Sequence, residues 1–98
     1  MTRAWNALAI DPRDGVAVAL RDIAAGETAS VRVGGNVETL SAREAIALGH
    51  KIARRDHEAG APVLKYGERI GLARVAIPAG AHVHVHNLAS ARARKEGV

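Results

Sequence analysis

One four-residue pattern recurs along this 98-residue chain and restricts its fold more than any other feature. Each copy ends in Ala-Gly and leads into an extended segment; the three copies are Ile23-Ala24-Ala25-Gly26, His57-Glu58-Ala59-Gly60 and Ile77-Pro78-Ala79-Gly80. Glycine adopts positive φ angles at little cost, so each copy predicts a tight turn. We interpret these glycines as structural, and the recurrence predicts short strands crossing around a compact core.

Short β-prone runs between glycine turns occupy most of the remaining chain. Residues 16–20 follow the turn dipeptide Asp14-Gly15, which predicts a strand. Residues 30–33 and 37–40 flank a Gly-Gly-Asn turn, which predicts a hairpin. Extended segments are also expected over 61–65, 70–77 and 81–86. This spacing is typical of a mainly β protein.

A single helix is predicted in the middle of the chain. Ser41 and Glu44 have the spacing of a capping box, and Gly49 follows at the position that commonly ends a helix. We therefore expect one short helix over residues 42–48. The expected architecture is a mainly β fold with one short helix, forming a single compact domain over residues 1–90. Residues 91–98 form a basic C-terminal tail, and the segment from Leu88 onward is expected to be frayed or disordered.

The composition excludes several classes of protein. There is no cysteine, so a disulfide framework, a thiolate metal site and a cysteine nucleophile are excluded. There is no Phe, and Trp5 and Tyr66 are the only aromatic residues, so the core must be aliphatic. No apolar run approaches the ~18 residues of a membrane helix, and no signal peptide is recognisable. A cytoplasmic protein without a membrane partner is expected.

Positive charge is concentrated in the second half of the chain. Residues 1–50 carry a net charge of −1, whereas residues 51–98 carry +5. Such a bias fits nucleic acid, an acidic small molecule or an acidic partner protein. Binding of single strands usually requires stacking on aromatic side chains, which are scarce here, so nucleic acid is the least favoured of these ligands.

The segment His82-Val83-His84-Val85-His86-Asn87 is the strongest chemical signal in the sequence. Alternate residues of a strand point to one face, so the three imidazoles are predicted to share a face while Val83 and Val85 fill the core. Such a face could bind a metal through neutral imidazoles, with His84 and His86 as ligands, or recognise a carboxylate or hydroxyl-rich ligand. The alternative is a solvated polar face.

Other polar residues have less specific patterns. His50 and Lys51 follow the predicted helix end, where they could bind an anion or act as a general acid/base pair, although a cation is favourable there in any case. Residues 54–56 form a charge run that predicts a solvated face. Lys65 and Tyr66 are adjacent on a predicted strand and should point to opposite sides. A chain this small has little room for a deep pocket, so a catalytic site would be shared with another chain.

Four motifs in this order resemble the N-terminal SAF domain of altronate and galactarate dehydratases. The resemblance runs from about Leu8 to Leu88 and rests on the segments Gly49-His50-Lys51-Ile52-Ala53, Lys65-Tyr66-Gly67, Ile77-Pro78-Ala79-Gly80 and His82 to Asn87. It implies a β-clip fold and membership of the UxaA-type hydro-lyases. These enzymes convert a sugar acid to a 2-keto-3-deoxy acid with a divalent metal, iron or manganese.

The resemblance also implies roles and partners. The long catalytic domain of the family is not present in this sequence, so the chain is expected to be the small subunit of a hydro-lyase. It would act with a large catalytic UxaA-type subunit that holds most of the metal's ligands, and it could form a homo-oligomer. The expected catalytic residues are His50, Lys51, His84 and His86; the expected substrate-binding residues are His82, Lys65 and Asn87, with His82 the most peripheral histidine of its segment.

Two other functions remain open at this point. A sulfolactate sulfo-lyase alpha-type subunit would have the same architecture, because nothing in these residues distinguishes water from sulfite as the leaving group. A non-enzymatic SAF module that binds carbohydrate would need no partner.

Overall fold

The computed structural model describes residues 5–90, which form nine strands in two sheets. The strands are β1 (Ala7–Ala9), β2 (Val16–Ala19), β3 (Thr28–Val33), β4 (Asn36–Ser41), β5 (Lys51–Ala53), β6 (Pro62–Lys65), β7 (Glu68–Ala73), β8 (His82–Val83) and β9 (Leu88–Ser90). One sheet has the order β4-β3-β1-β2-β5-β8, and the other has the order β6-β7-β9. All neighbouring strands are antiparallel except β1 and β3.

The mainly β prediction is confirmed. The predicted hairpin is β3–β4, in register from Thr28 opposite Ser41 to Val33 opposite Asn36. Alternate residues of β3 are buried, as expected of a strand with one face on the core. Strands β1 and β5 were missed because three residues are too few for a detectable alternation.

The helix prediction is wrong, because residues 42–48 contain no helix. Ile46 instead forms an isolated antiparallel pair with Ile23, with two N–H···O hydrogen bonds of 2.8 Å. The Glu44 carboxylate accepts a hydrogen bond from the His82 backbone N–H rather than capping a helix. Extended pairing buries Ile46 completely, so tertiary packing outweighs a local capping signal. Residues 5–90 therefore contain no helix that could cross a membrane.

The three predicted turns are confirmed, and a fourth turn of the same kind, which ends in Leu48-Gly49, lies at residues 46–49 and overlaps the end of the predicted helix. The four glycines have φ values between 83° and 90°; they are Gly26, Gly49, Gly60 and Gly80. The first residues of the four copies pair two by two, Ile23 with Ile46 and His57 with Ile77. We call these the first and the second turn pair. They give the molecule two similar halves.

Each turn pair packs on its own aliphatic cluster. The first cluster contains Ile23, Ile46 and Ile52 with residues of β1, β2 and β3. The second contains Ile77, with buried residues of β5, β6, β7 and β8. Strand β5 lies between the clusters, since Ile52 belongs to the first and Ala53 to the second.

A buried carboxylate fixes the turn between β6 and β7. Asp14 is 1% exposed and accepts hydrogen bonds from the backbone N–H groups of Tyr66, at 2.9 Å, and Gly67, at 2.7 Å. Tyr66 has a φ of 57°, an unusual value for a residue with a side chain. The prediction that Lys65 and Tyr66 point apart is wrong, because this conformation brings the Lys65 Nζ to 4.9 Å from the centre of the tyrosine ring.

Two other expectations fail near these elements. Arg54 does not lie on a solvated face: its side chain is buried and donates hydrogen bonds to the Asp14 carbonyl and to the Glu38 carboxylate. The chain from Leu88 to Ser90 is ordered as β9, paired with β7, rather than frayed. The predicted basic tail, residues 91–98, lies outside the described residues.

Candidate functional site

Four of the five histidines converge where β5 begins and β8 ends. Because Ile52 pairs with His82, alternation places His50 on the same face as His82. The His50 Nδ1 lies 2.9 Å from the His82 Nε2, so these rings share a hydrogen bond whose direction depends on the tautomers. His50, His82 and His84 stack with ring centroids 4.8–5.4 Å apart, and His86 lies 5.7 Å from His82. We call these four residues the histidine cluster.

The cluster forms in a different way from that predicted. Strand β8 ends at Val83, and the chain turns over residues 84–87. Val83 is buried as predicted, but Val85 is 73% exposed and does not fill the core. His82 is not peripheral, because its ring contacts those of the other three histidines. The turn brings His84 back towards His50, which strand alternation alone does not predict.

Asn87 holds the turn that carries the histidines. Its Oδ1 accepts a hydrogen bond from the His84 backbone N–H at 2.9 Å, and its Nδ2 donates to the His82 carbonyl at 2.8 Å. The residue is only 6% exposed. Its contact with substrate stays a prediction, and in this structure both the oxygen and the nitrogen of its amide are hydrogen-bonded to the backbone. It fixes the positions of His82 and His84.

Three members of the cluster have the spacing of a metal site. His50, His82 and His84 each offer one nitrogen, and these nitrogens all lie within 4.8 Å of one another. The prediction named His84 and His86; His86 is not part of this group. Burial and the neighbouring imidazoles lower the pKa of His82, which favours the neutral ring that ligates metals. The donor set therefore suits a transition metal.

Of the two predicted lysines, Lys51 faces away from the cluster. Lys51 follows His50 directly and pairs with Val83, so its side chain is on the opposite face of β5. Burial, and then the positive charge of Lys65, lower the pKa of Lys51. No histidine contributes to that shift. His50 and Lys51 therefore do not meet at one point, as an acid/base pair would require.

An apolar groove adjoins the histidine cluster. It has a volume of about 460 Å³, and Ile23, Ile46 and neighbouring alanines line it, with His50 and His82 at one side. This groove is not predicted from the sequence, because the capping-box pattern places Ile46 in a helix. The groove depends on the pairing of Ile23 with Ile46, and only recognition of that pairing could have predicted it.

His57, the fifth histidine, lies at a second, smaller cavity of about 280 Å³. It is 7% exposed, and its Nδ1 has no hydrogen-bond partner within the described part of the chain. Burial lowers its pKa, an effect partly opposed by the nearby Arg55 carbonyl. It occupies the position at which the other three turns have isoleucine.

Comparison with known proteins gives one consistent family. Residues 5–91 match the altronate/galactarate dehydratase SAF domain family. The altronate dehydratases of Escherichia coli K12 and Bacillus subtilis 168 are 49% and 38% identical over 76% and 80% of this chain, respectively. The chain spans only 14–15% of the length of these relatives.

A second kind of relative is smaller. The (2R)-sulfolactate sulfo-lyase subunit alpha of Chromohalobacter salexigens is 44% identical over 51% of this chain and 53% of that protein. The chain belongs to the altronate/galactarate dehydratase SAF domain family.

Proposed function

We propose that this chain is the small SAF subunit of a UxaA-type hydro-lyase, acting with a large catalytic partner to dehydrate a sugar acid to a 2-keto-3-deoxy acid. Support comes from the altronate dehydratases, in which the matching segment is about one seventh of the protein. The rest of such an enzyme would come from the partner. The name of the subunit alpha relative supports a separate small chain.

The observation that carries this proposal is the partly exposed histidine cluster. Elimination of water requires a base for the proton next to the carboxylate and an acid or metal for the departing hydroxide. Imidazoles exchange protons near neutral pH, and His84 and His86 are exposed and able to reach a bound ligand. His50, which adjoins these two residues in the cluster, would bind the substrate carboxylate or assist proton transfer. The cluster thus forms one wall of a shared site.

A divalent metal, iron or manganese, would act as a Lewis acid on the leaving hydroxyl, and the partner would hold most of its ligands. This chain's part is to orient imidazoles towards the substrate. Asn87 contributes by holding the turn that carries them. Lys51 lies on the opposite face of β5 from this wall. The catalytic role of Lys51 and the substrate contact of Lys65 stay predictions.

The test is co-expression with a large catalytic subunit of the UxaA type from the same genome, followed by assays of altronate and galactarate dehydration. The double variant His84→Ala/His86→Ala should lose most of the activity, whereas the matched variant His57→Gln, remote from the cluster, should keep it. Both variants should still co-purify with the partner. Full activity of the double variant would exclude the proposed wall.

Elimination of sulfite from sulfolactate is the second candidate, favoured by the similarity to the sulfo-lyase alpha subunit. The same complex would release sulfite, which a colorimetric assay detects. Sulfite release without dehydration of either sugar acid would assign the chain to that reaction.

A further inference from the structure

We propose that His50, His82 and His84 bind one divalent transition metal in the isolated chain, without any partner. This inference goes beyond the proposed function, in which the partner holds most of the metal's ligands. The ion would be of the zinc class, which prefers imidazole nitrogen. His84 is the exposed member of the three.

The spacing of the nitrogens is the first argument. Nitrogens that share an ion at the usual zinc–nitrogen length of about 2.0–2.1 Å lie roughly 3.0–3.5 Å apart. The His50 Nδ1 and the His82 Nε2 are already 2.9 Å apart. The whole group lies within 4.8 Å, so a small rotation of the His84 ring would complete it. That ring is exposed to solvent.

The rigidity of the supporting backbone is the second argument. Around His50, its backbone N–H donates to the Ala47 carbonyl, and its carbonyl accepts from the Ala19 N–H, both at 2.8 Å. The Glu44 carboxylate accepts from the His82 N–H, and Asn87 bonds to the backbone of both His82 and His84. The side chains therefore start close to their ligating positions, which reduces the entropy lost on binding.

The donor set predicts which ions bind. Three imidazoles without a carboxylate favour nickel, copper and zinc over magnesium, calcium and manganese, which prefer oxygen ligands. Within the first-row series, the affinity should rise from manganese through cobalt to nickel and copper. An adventitious surface histidine would bind these ions weakly.

The experiment uses the tag-free chain, freed of metal with a chelator and titrated calorimetrically with zinc chloride, nickel chloride and magnesium chloride. Zinc and nickel should bind with one ion per chain, and magnesium should give no signal. Cobalt should produce visible absorption bands of a nitrogen-ligated ion. His50→Gln and His82→Gln should each weaken zinc binding at least about tenfold, because each removes one ligand.

Two matched histidine variants complete the test. His57→Gln, in the other half, and His86→Gln, next to the cluster but outside the ligand group, should change zinc affinity less than about threefold. Circular dichroism must show that all variants remain folded. Absence of stoichiometric zinc binding in the wild-type chain, or unchanged binding in His82→Gln, would overturn the inference. Loss of lyase activity with a partner would leave this result unaffected.

Discussion

The two turn pairs share one backbone design but differ in their side chains. In both, an aspartate just before the first turn accepts a hydrogen bond from the second turn: Asp22 from the Leu48 N–H, and Asp56 from the Ala79 N–H, both at 2.8 Å. The first pair joins two isoleucines beside an apolar groove. The second joins Ile77 to His57, beside a smaller cavity with charged residues in its wall.

This difference shows that the backbone fold and the reactive side chains are specified by different residues. Positive-φ glycines and backbone hydrogen bonds build both halves in the same way. Only the first half adjoins the histidine cluster, because His50 directly follows its second turn. A histidine also enters the second half, but as a buried core residue. The same residue type is therefore accessible to solvent in one place and buried in the core in the other.

The largest loss of stability should come from substitution of the turn glycines, which compares Gly26 of the first half with Gly80 of the second. Gly80→Ala adds a Cβ that would lie 2.2 Å from the Ser41 carbonyl oxygen, whereas Gly26→Ala meets no atom within 4 Å. Both changes carry the left-handed penalty of about 1–2 kcal/mol, but only Gly80→Ala also forces backbone apart, for a total of roughly 3–5 kcal/mol. Urea denaturation measures the difference; equal losses would show that this close approach is unimportant.

Ile23→His would place in the first turn pair the histidine that the second turn pair has at His57. Ile23 is fully buried in the first cluster, and an imidazole there would lack a hydrogen-bond partner. We expect a loss of about 3 kcal/mol in the free energy of unfolding, larger at pH 5 than at pH 8. Ile23→Val is the matched control, with a loss near 1 kcal/mol. An unchanged stability of the histidine variant would mean that the halves tolerate the same residues.

The turn over residues 84–87 lies beside the first half only, and Asn87→Ala tests its importance. The change removes two hydrogen bonds from a buried amide and leaves backbone groups of His82 and His84 unpaired, at a cost of about 2 kcal/mol. The His82 and His84 resonances should broaden in NMR spectra, while those of His57 stay sharp. Broadening of His57 as well would show that the two halves unfold together.

His57→Ile should have the smallest effect and the opposite sign. Because burial lowers the pKa of His57 below its ordinary 6.5, the folded chain binds this proton less readily than the unfolded chain. The contribution of His57 to stability is therefore full above about pH 6.5 and declines as the pH falls towards the lowered value. The isoleucine variant should gain about 1 kcal/mol at pH 7 and lose this part of the acid sensitivity.

The control for this prediction is His86→Gln, which removes an exposed histidine. Its unfolding curves at pH 8 and pH 5 should follow those of the wild-type chain. If His57→Ile keeps the wild-type pH dependence, another group is responsible for it.

The repeated turns, the β3–β4 hairpin and the proximity of His82, His84 and His86 could be predicted from the sequence. These features depend on local chemistry: glycine conformations, β-prone runs and residue type. The pairing of Ile23 with Ile46 depends on two segments distant in sequence, so a capping-box pattern led to a wrong helix. His82 was misjudged for a related reason, since its central place depends on a tertiary turn held by Asn87.

The bond between Asp14 and the β6–β7 turn has a consequence for how the chain acquires its structure. Asp14 is 52 residues from Tyr66 and 53 residues from Gly67, the two residues whose N–H groups donate to its carboxylate. The hairpin must adopt an unfavourable tyrosine conformation that this distant contact compensates. Contacts of such long separation slow folding, so we expect a rate slower than that of helical domains of the same size. During synthesis on the ribosome, the segment around Asp14 cannot form these hydrogen bonds until residue 67 has emerged.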